Sequence, residues 1–249
     1  MKIVFALCYI TLLVCIPVSP SMDISRQLEP PSRAHLCGFD VLGRDQLGRI
    51  ASGARISLAV GLLATLCALC FGTFFGACAG LGYGDQLFCI LADLFYLIPA
   101  SLTAMVMMLF FHHLSFIFAL VLTAWVMPGR LIRAKVMALR SQLFIENARA
   151  LGQTPQGIVM YHMLPHLWPL CMQALLLQVP STMMAESVLS FLGLGIASPH
   201  ASFGSLVQEG FRVMHAAPHA LIFPALALFL CQVSIMSLGQ ALKSRTHRF

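Results

Sequence analysis

Two carboxylates stand inside long apolar stretches of this sequence, and their placement needs a chemical reason. Asp93 and Glu186 lie where an ionised group is costly unless it is paired or reached by water. Gln178, Thr182 and Glu186 recur every four residues, which puts all three on one face of a helix. Such a stripe either lines a polar route for a zwitterionic solute or forms hydrogen bonds between packed helices. Both interpretations stay open for Glu186, whereas for Asp93 the sequence favours packing.

Patterns of other chemistries are absent from the sequence. A nucleotide-binding P-loop requires Gly-Lys-Ser/Thr after a strand, and no lysine here follows a glycine. There is neither a His-Glu-x-x-His motif nor a nucleophile elbow. The adjacent His112 and His113 point to different faces of a helix, and Cys67-x-x-Cys70 has no second cysteine pair. We therefore predict no catalytic residue, no metal site and no cofactor.

The composition indicates a membrane protein. Hydrophobic residues make up 59% of the 249 residues and charged residues 10%, against roughly a quarter charged in a soluble domain. The apolar runs are long and continuous, so they predict helices rather than the alternating strands of a barrel. The net charge is +6, but the basic residues flank apolar runs instead of covering one face. This distribution argues against nucleic acid as a partner.

The apolar runs predict an all-α protein with about six transmembrane helices. The first run, residues 1–18, is short enough to be a signal peptide, but no small-x-small cleavage site follows it, which favours a retained helix. Residues 19–53 form a polar segment, 54–240 the main transmembrane domain, and 241–249 a tail. Within this domain the second span is predicted at about 53–81, the third from the turn at 82–85 to 111, and the fourth up to about 127–129. The fifth and sixth spans are predicted at about 164–191 and 218–238.

A polar island at residues 140–165 interrupts these runs and carries its own helix signals. From Gln142 to Leu151, apolar residues recur at Phe144, Ala148 and Leu151, the one-sided pattern of a surface helix. Gly152 follows where a left-handed C-terminal cap is expected. Thr154 can cap a second helix that has Pro155 at its first position. The island is therefore predicted to be a helix, a sharp break and a second helix leading into the next span.

The same island resembles a known family motif. Glu146, Asn147, Ala148 and Gly152, followed after nine residues by His162-Met163-Leu164-Pro165, resemble the EAA loop of ABC-importer permeases. Asn147 stands where the family usually has alanine. In that family this loop is the cytoplasmic coupling helix, which docks into a groove on the ATPase subunit. The resemblance thus implies that these residues couple the membrane domain to an ATPase.

Three further segments resemble one branch of the same family. His35-Leu-Cys-Gly-Phe-Asp-Val-Leu-Gly-Arg-Asp45, Gly53-Ala-Arg-Ile-Ser-Leu58 and Ser190-Phe-Leu-Gly-Leu-Gly195 resemble segments of the C-type subunit of dipeptide, oligopeptide and nickel permeases. Phe39 replaces the usual threonine, and the alternative interpretation of the first segment is an ordinary glycine-rich turn. Residues 196–217 are predicted to be a loop.

Charge sets the predicted orientation. Five cationic residues at 130–149 put the polar island in the cytoplasm, the cationic C-terminal end agrees, and six spans then place both termini inside. The arginines between residues 26 and 55 fall on the outer side, and the charge rule gives no reason for them.

The resemblance implies a bacterial ABC importer type I permease in the cytoplasmic (inner) membrane. It implies assembly with a sister permease subunit, two ATP-binding cassette subunits and an extracytoplasmic solute-binding protein, with membrane lipid around the complex. ATP hydrolysis then occurs on a separate chain, and the transported solute is a di- or oligopeptide. The alternatives are an importer of nickel or another small solute and, in a different class, a membrane-embedded enzyme.

Overall fold

The computed structural model describes residues 8–9, 11, 15–16, 22–111, 115–195 and 200–246. Most of the predicted first span, His112–His113 and the last three residues lie outside these ranges. Within them, extended pairing is limited to two isolated bridges, Met22 with Arg44 and Phe39 with Asp45. The all-α prediction is confirmed.

Helices account for nearly all of the regular secondary structure in the described residues. A 3₁₀ turn at Ile24–Arg26 precedes the first long helix. The α-helices are α1 (Gln46–Gly80), α2 (Asp85–Leu97), α3 (Ala100–Phe111), α4 (Ser115–Ala124), α5 (Val126–Arg140), α6 (Leu143–Ala150), α7 (Leu164–Phe191), α8 (Phe203–Arg212) and α9 (His219–Thr246). A helical turn, Pro155–Gly157, and a π-helical stretch, Ile158–Met163, lead into α7.

Four helical segments of the described residues are long and apolar enough to cross a membrane. They are Gln46–Gly80, Phe116–Arg140, Ile158–Phe191 and His219–Ala241. The predicted third span is divided at Ile98, which adopts an extended conformation, as is usual for a residue that precedes a proline. Because α2 and α3 have only 13 and 12 residues, the count of six spans stays a prediction.

The observed boundaries differ from the predicted ones at three helices, and the first two differences have a local cause. Helix α1 begins at Gln46 rather than near Gly53, because the side chain of Asp45 accepts a hydrogen bond from the Leu47 amide (2.9 Å) and caps the helix. Helix α5 continues to Arg140 instead of ending near 127–129. Its proline is only the third residue of the helix, where a missing amide hydrogen is tolerated. The last helix continues past the predicted end of its span, near 238, to Thr246.

The predicted loop 196–217 contains helix α8. Its N-cap, Ser202, forms a capping box with Ser205: each side chain accepts from the other residue's backbone amide, at 3.4 and 2.9 Å. The helix packs against both α7 and α9. The amide that follows the cap, on Phe203, donates to Ser57 of α1 (3.1 Å).

Helices α1 and α5 approach closely through a row of glycines. An added Cβ would lie 2.6 Å from the Trp125 oxygen at Gly72, 2.3 Å from the Gly129 oxygen at Gly76, and 2.8 Å from Val136 at Gly80. Small residues spaced by four allow such backbone contact between membrane helices. This contact fixes α5, and α5 leads directly into the polar island.

Candidate coupling element and polar seam

The segment 140–165, here named the coupling element, contains the predicted helix break. Helix α6 ends at Ala150, and Gly152 has a φ of +79°. The Gly152 amide donates to the Arg149 carbonyl (3.0 Å) and the Gln153 amide to the Ala148 carbonyl (3.1 Å). These two bonds form a Schellman cap. The prediction of a left-handed C-terminal cap at this glycine is confirmed.

The second arm of the coupling element also begins as predicted. Thr154 accepts a hydrogen bond on its hydroxyl from the Gly157 amide (3.2 Å) and on its carbonyl from the Ile158 amide (3.0 Å). A ring nitrogen of His162 lies 2.8 Å from the side-chain oxygen of Gln153, so the π-helical stretch is tied back to the break. Helix α7 begins at Leu164, as expected.

The buried face of the coupling element differs from the predicted one. Ile145 and Ala148, three residues apart, are buried, whereas Phe144 and Leu151 are exposed. Ile145 packs in one apolar cluster with residues of α1, α5, the π-helical stretch and α7. The prediction of a Phe144–Ala148–Leu151 stripe is therefore wrong. The sequence does hold the correct pattern, but an eight-residue helix gives too few repeats to decide between two neighbouring faces.

Large apolar side chains are exposed on the coupling element. Leu151 is 85% and Tyr161 77% exposed, and Leu143 and Met160 also face outward. Of the predicted coupling residues, Glu146, Asn147, Gly152, Leu164 and Pro165 are exposed, His162 is half-buried, and Ala148 is buried on the inner side. An exposed apolar patch on a short, firmly anchored helix is typical of a protein–protein contact.

Gln178, Thr182 and Glu186 lie on one face of α7, are here named the polar seam, and all bond to neighbouring helices. The side-chain amide of Gln178 donates to the Ala124 backbone carbonyl (2.5 Å). Pro128 has no amide hydrogen to offer this carbonyl, four residues before it, so Gln178 satisfies it instead. The hydroxyl oxygens of Thr182 and Thr65 lie 3.1 Å apart, which links α7 to α1.

Glu186 is fully buried and is surrounded by serines. Its carboxylate accepts from Ser57 (2.9 Å), Ser190 (2.7 Å) and Ser187 (3.3 Å). Ser57 in turn accepts from the Phe203 amide, so the carboxylate connects α7, α1 and the start of α8. Hydroxyl donors of this kind satisfy a buried carboxylate without a cation.

A cavity of about 430 Å³ lies between α4, α5 and α7. Gln178 and Thr182 contribute to its wall, together with Thr123 and Ser181, and most of the remaining lining is apolar. Glu186 is not among the lining residues. The structure thus places two members of the seam at the cavity and the third behind it, in the helix packing.

Asp93 is not buried, contrary to the sequence interpretation. Its side chain is 68% exposed and pairs with Arg130 of α5. No local pattern in the sequence predicts this pairing, because the two residues are 37 positions apart.

The His35–Asp45 segment forms an ordered cap at the start of α1. Asp40 is buried and accepts from Arg44 (2.7 Å) and Arg49 (2.8 Å), and Arg49 also pairs with Glu209 of α8. Burial, and then the nearby Asp45, raises the pKa of the Cys37 thiol to about 11. The motif therefore has a structural role, since it joins the beginning of α1 to α8.

The Ser190–Gly195 motif ends α7 with a second Schellman cap. Gly193 has a φ of +82°, its amide donates to the Ser190 carbonyl (3.1 Å), and the Leu194 amide donates to the Leu189 carbonyl (2.9 Å). An added Cβ at Gly195 would lie 1.9 Å from the Ser190 hydroxyl, which is bonded to Glu186. Only glycine fits here without disturbing the serines around that carboxylate.

Several membrane-length helices, with an anchored element between two of them that exposes apolar side chains, define a multi-pass membrane protein. Residues 54–248 match the family described as "Binding-protein-dependent transport system inner membrane component". The chain belongs to this family of ABC-importer permeases, a family of transport proteins and not of enzymes. Its members work with ATPase and substrate-binding partners.

The alignments with curated relatives cover most of the chain. The oligopeptide transport system permease protein OppC of Bacillus subtilis is 29% identical over 219 residues, which cover 86% of this chain and 72% of the relative. The glutathione transport system permease protein GsiD of Pectobacterium atrosepticum is 32% identical over 225 residues, 89% and 75% of the two chains. The oligopeptide permease OppC of Haemophilus influenzae is 33% identical over 213 residues, 84% and 68%.

Proposed function

We propose that this chain is the C-type permease subunit of an importer of short peptides. The relatives whose names concern oligopeptides and glutathione, itself a small peptide, support this substrate class. The observation that carries the proposal is the coupling element, whose anchored inner face and exposed apolar outer face suit docking to an ATPase.

The complex would contain a sister permease, two ATP-binding cassette subunits and an extracytoplasmic solute-binding protein. ATP hydrolysis would occur on the cassette subunits. The exposed side chains Leu143, Leu151 and Tyr161 would enter a groove on one of them. Glu146 and Asn147 lie beside this patch and would contact the rim of the groove.

Movement of the coupling element would reach the membrane through α7. The helical segment Ile158–Phe191 is continuous over 34 residues, about 50 Å at 1.5 Å per residue. Ile145 and Met163 join α6 to this segment within one apolar cluster. Closure of the ATPases would therefore shift α7 and α5 together, and the cavity between them would change shape.

The topology we propose has both termini and the coupling element in the cytoplasm. Residues 19–53, including the Asp40 ion pairs, would then lie outside, where the solute-binding protein docks. In this arrangement Gln178 and Thr182 border the translocation path. Glu186 would position α7, α1 and α8 around that path rather than contact the solute.

Isolation of the complex tests this proposal. The tagged chain is purified from its native membrane, and the co-purifying subunits and the ligand of the solute-binding protein are identified by mass spectrometry. We expect two ATPases, a second permease and a bound peptide. Bound nickel or another small solute would contradict the peptide assignment, and a chain isolated without any ATPase would contradict the importer.

A further inference from the structure

An ion pair on the surface of α2 and α5 is exposed within the membrane-spanning region. Arg130 is bonded to Asp93, and its guanidinium also lies over the Tyr96 ring, 5.1 Å from the ring centre. The two charged side chains remain 39% and 68% exposed in this chain.

The pair lies two to three helical turns from the start of α2 and from the end of α5, the two ends that meet the turn at 81–84 and the coupling element. Asp93 is eight residues beyond the start of α2, about 12 Å along the helix. Arg130 is ten residues before the end of α5, about 15 Å along the helix. Charged side chains at such depth are costly against lipid, and they almost always face water or protein.

The other side of α2 has the opposite character. There, an apolar cavity of about 340 Å³ is lined mainly by aromatic and aliphatic side chains, among them Phe71, Phe75, Leu87, Phe95 and Phe118. This surface suits lipid tails. The contrast between the two sides indicates which one lipid covers.

We propose that the α2–α5 face carrying Asp93 and Arg130 lines a water-filled translocation route. Next to Arg130 on α5, Met127 and Leu131 are exposed and form part of the 430 Å³ cavity that Gln178 borders. The face and the cavity wall therefore make one continuous surface.

The pair also defines a contact for the solute. This step depends on the proposed peptide importer. A peptide with free ends carries an ammonium group, which donates to a carboxylate such as that of Asp93, and a carboxylate, which accepts from a guanidinium such as that of Arg130. The pair would exchange its mutual bond for these contacts as a peptide passes.

Cysteine labelling tests the route without any transported solute. Met127→Cys and Leu87→Cys are compared in the assembled complex, in a chain whose nine native cysteines are replaced. The two positions are matched, because Met127 is 65% and Leu87 61% exposed in this chain. A cationic methanethiosulfonate reagent is applied with and without vanadate-trapped nucleotide.

We expect Met127→Cys to react at least about tenfold faster than Leu87→Cys in one of the two states, because the reactive thiolate forms only where water reaches it. Equal, slow reaction at both positions in both states would overturn the proposed route. This readout does not depend on the solute. The proposed route can therefore fail while the peptide assignment stands, and the peptide assignment can fail while the route stands.

Charge exchange tests the solute contact. The double variant Asp93→Arg with Arg130→Asp keeps an ion pair between α2 and α5 but reverses its direction. We expect the complex to assemble with its ATPases, while peptide uptake falls to roughly a tenth or less, the effect of one lost charged contact of about 1.4 kcal/mol. Uptake at the wild-type level would reduce the pair to a packing role. If the exchanged chain does not assemble, the neutral pair Asp93→Asn with Arg130→Gln is assayed in the same way, and wild-type uptake by that variant would overturn the solute contact.

Discussion

Substitution of Gly152 should separate backbone shape from charge at the coupling element. This glycine has a φ of +79°, and an added Cβ would meet no atom of the chain within 4 Å. The cost of alanine there is therefore the backbone term alone, about 1–2 kcal/mol. That energy corresponds to a roughly 5- to 30-fold smaller population of the docking-competent shape.

Asparagine and aspartate tolerate a positive φ better than alanine does, and they differ from each other chiefly in charge. We expect Gly152→Asn to dock nearly as well as the wild type and Gly152→Ala to dock less. Gly152→Asp should be worse than Gly152→Ala, because it also brings a carboxylate into the desolvated contact. The assay is co-purification of the ATPase subunits per inserted chain, with uptake measured in the same membranes.

Gly84 provides a matched control for this series. Its φ is +67°, and an added Cβ there also meets nothing within 4 Å, but it belongs to the turn between α1 and α2 and not to the coupling element. Gly84→Ala should therefore leave docking unchanged. Normal docking and uptake in both Gly152→Ala and Gly152→Asp would refute the mechanical role of the helix break.

Three further variants test other parts of the structure. Gly43→Ala should destabilise the complex, because Gly43 has a φ of +67° and an added Cβ would lie 1.8 Å from the Asp23 carbonyl oxygen. A lower unfolding temperature of the complex would show this. Glu186→Gln should reduce the free energy of unfolding by about 1–3 kcal/mol, because an amide replaces a carboxylate that accepts from three hydroxyl groups, and the unfolding temperature should fall accordingly. In intact cells, an impermeant maleimide should label Arg33→Cys and not Gln153→Cys, two exposed positions on opposite sides of the proposed topology.

Each of these variants has an outcome that would count against the account. Unchanged thermal stability in Gly43→Ala would remove the structural role of the glycine-rich segment. An assembled, stable Glu186→Gln complex with an altered substrate range would return Glu186 to the translocation path. Labelling of Gln153→Cys from outside would reverse the orientation. Both labelling variants are made in the chain whose nine native cysteines are replaced, because Cys8, Cys15 and Cys70 are exposed.

Local signals account for what the sequence predicted correctly. Gly152 and Thr154 each act through bonds to residues within a few positions, so the helix break and the next cap follow from residue types alone. The apolar run that begins at Leu164 likewise predicts α7 to its last residue. The sequence also carries local signals for the start of α1 and of α8, namely the caps Asp45 and Ser202.

Contacts between distant segments explain the rest. The bond from Gln178 depends on a carbonyl that a proline in another helix leaves unpaired, and the serines around Glu186 include one from α1. The exposure of Asp93 depends on how α2 packs beside α5. No period or spacing within the sequence carries this information, because each contact requires the positions of two helices at once.

ATP-driven peptide uptake by the reconstituted complex tests the central claim most directly. The chain, its sister permease and the two ATPases are placed in proteoliposomes with the solute-binding protein and a labelled peptide. We predict that the peptide accumulates and that this accumulation requires both ATP and the binding protein. Gly152→Asp should abolish the accumulation while the permease pair stays intact. An assembled complex with docked, active ATPases that accumulates neither oligopeptides nor glutathione, but does accumulate nickel or another solute, would contradict the account.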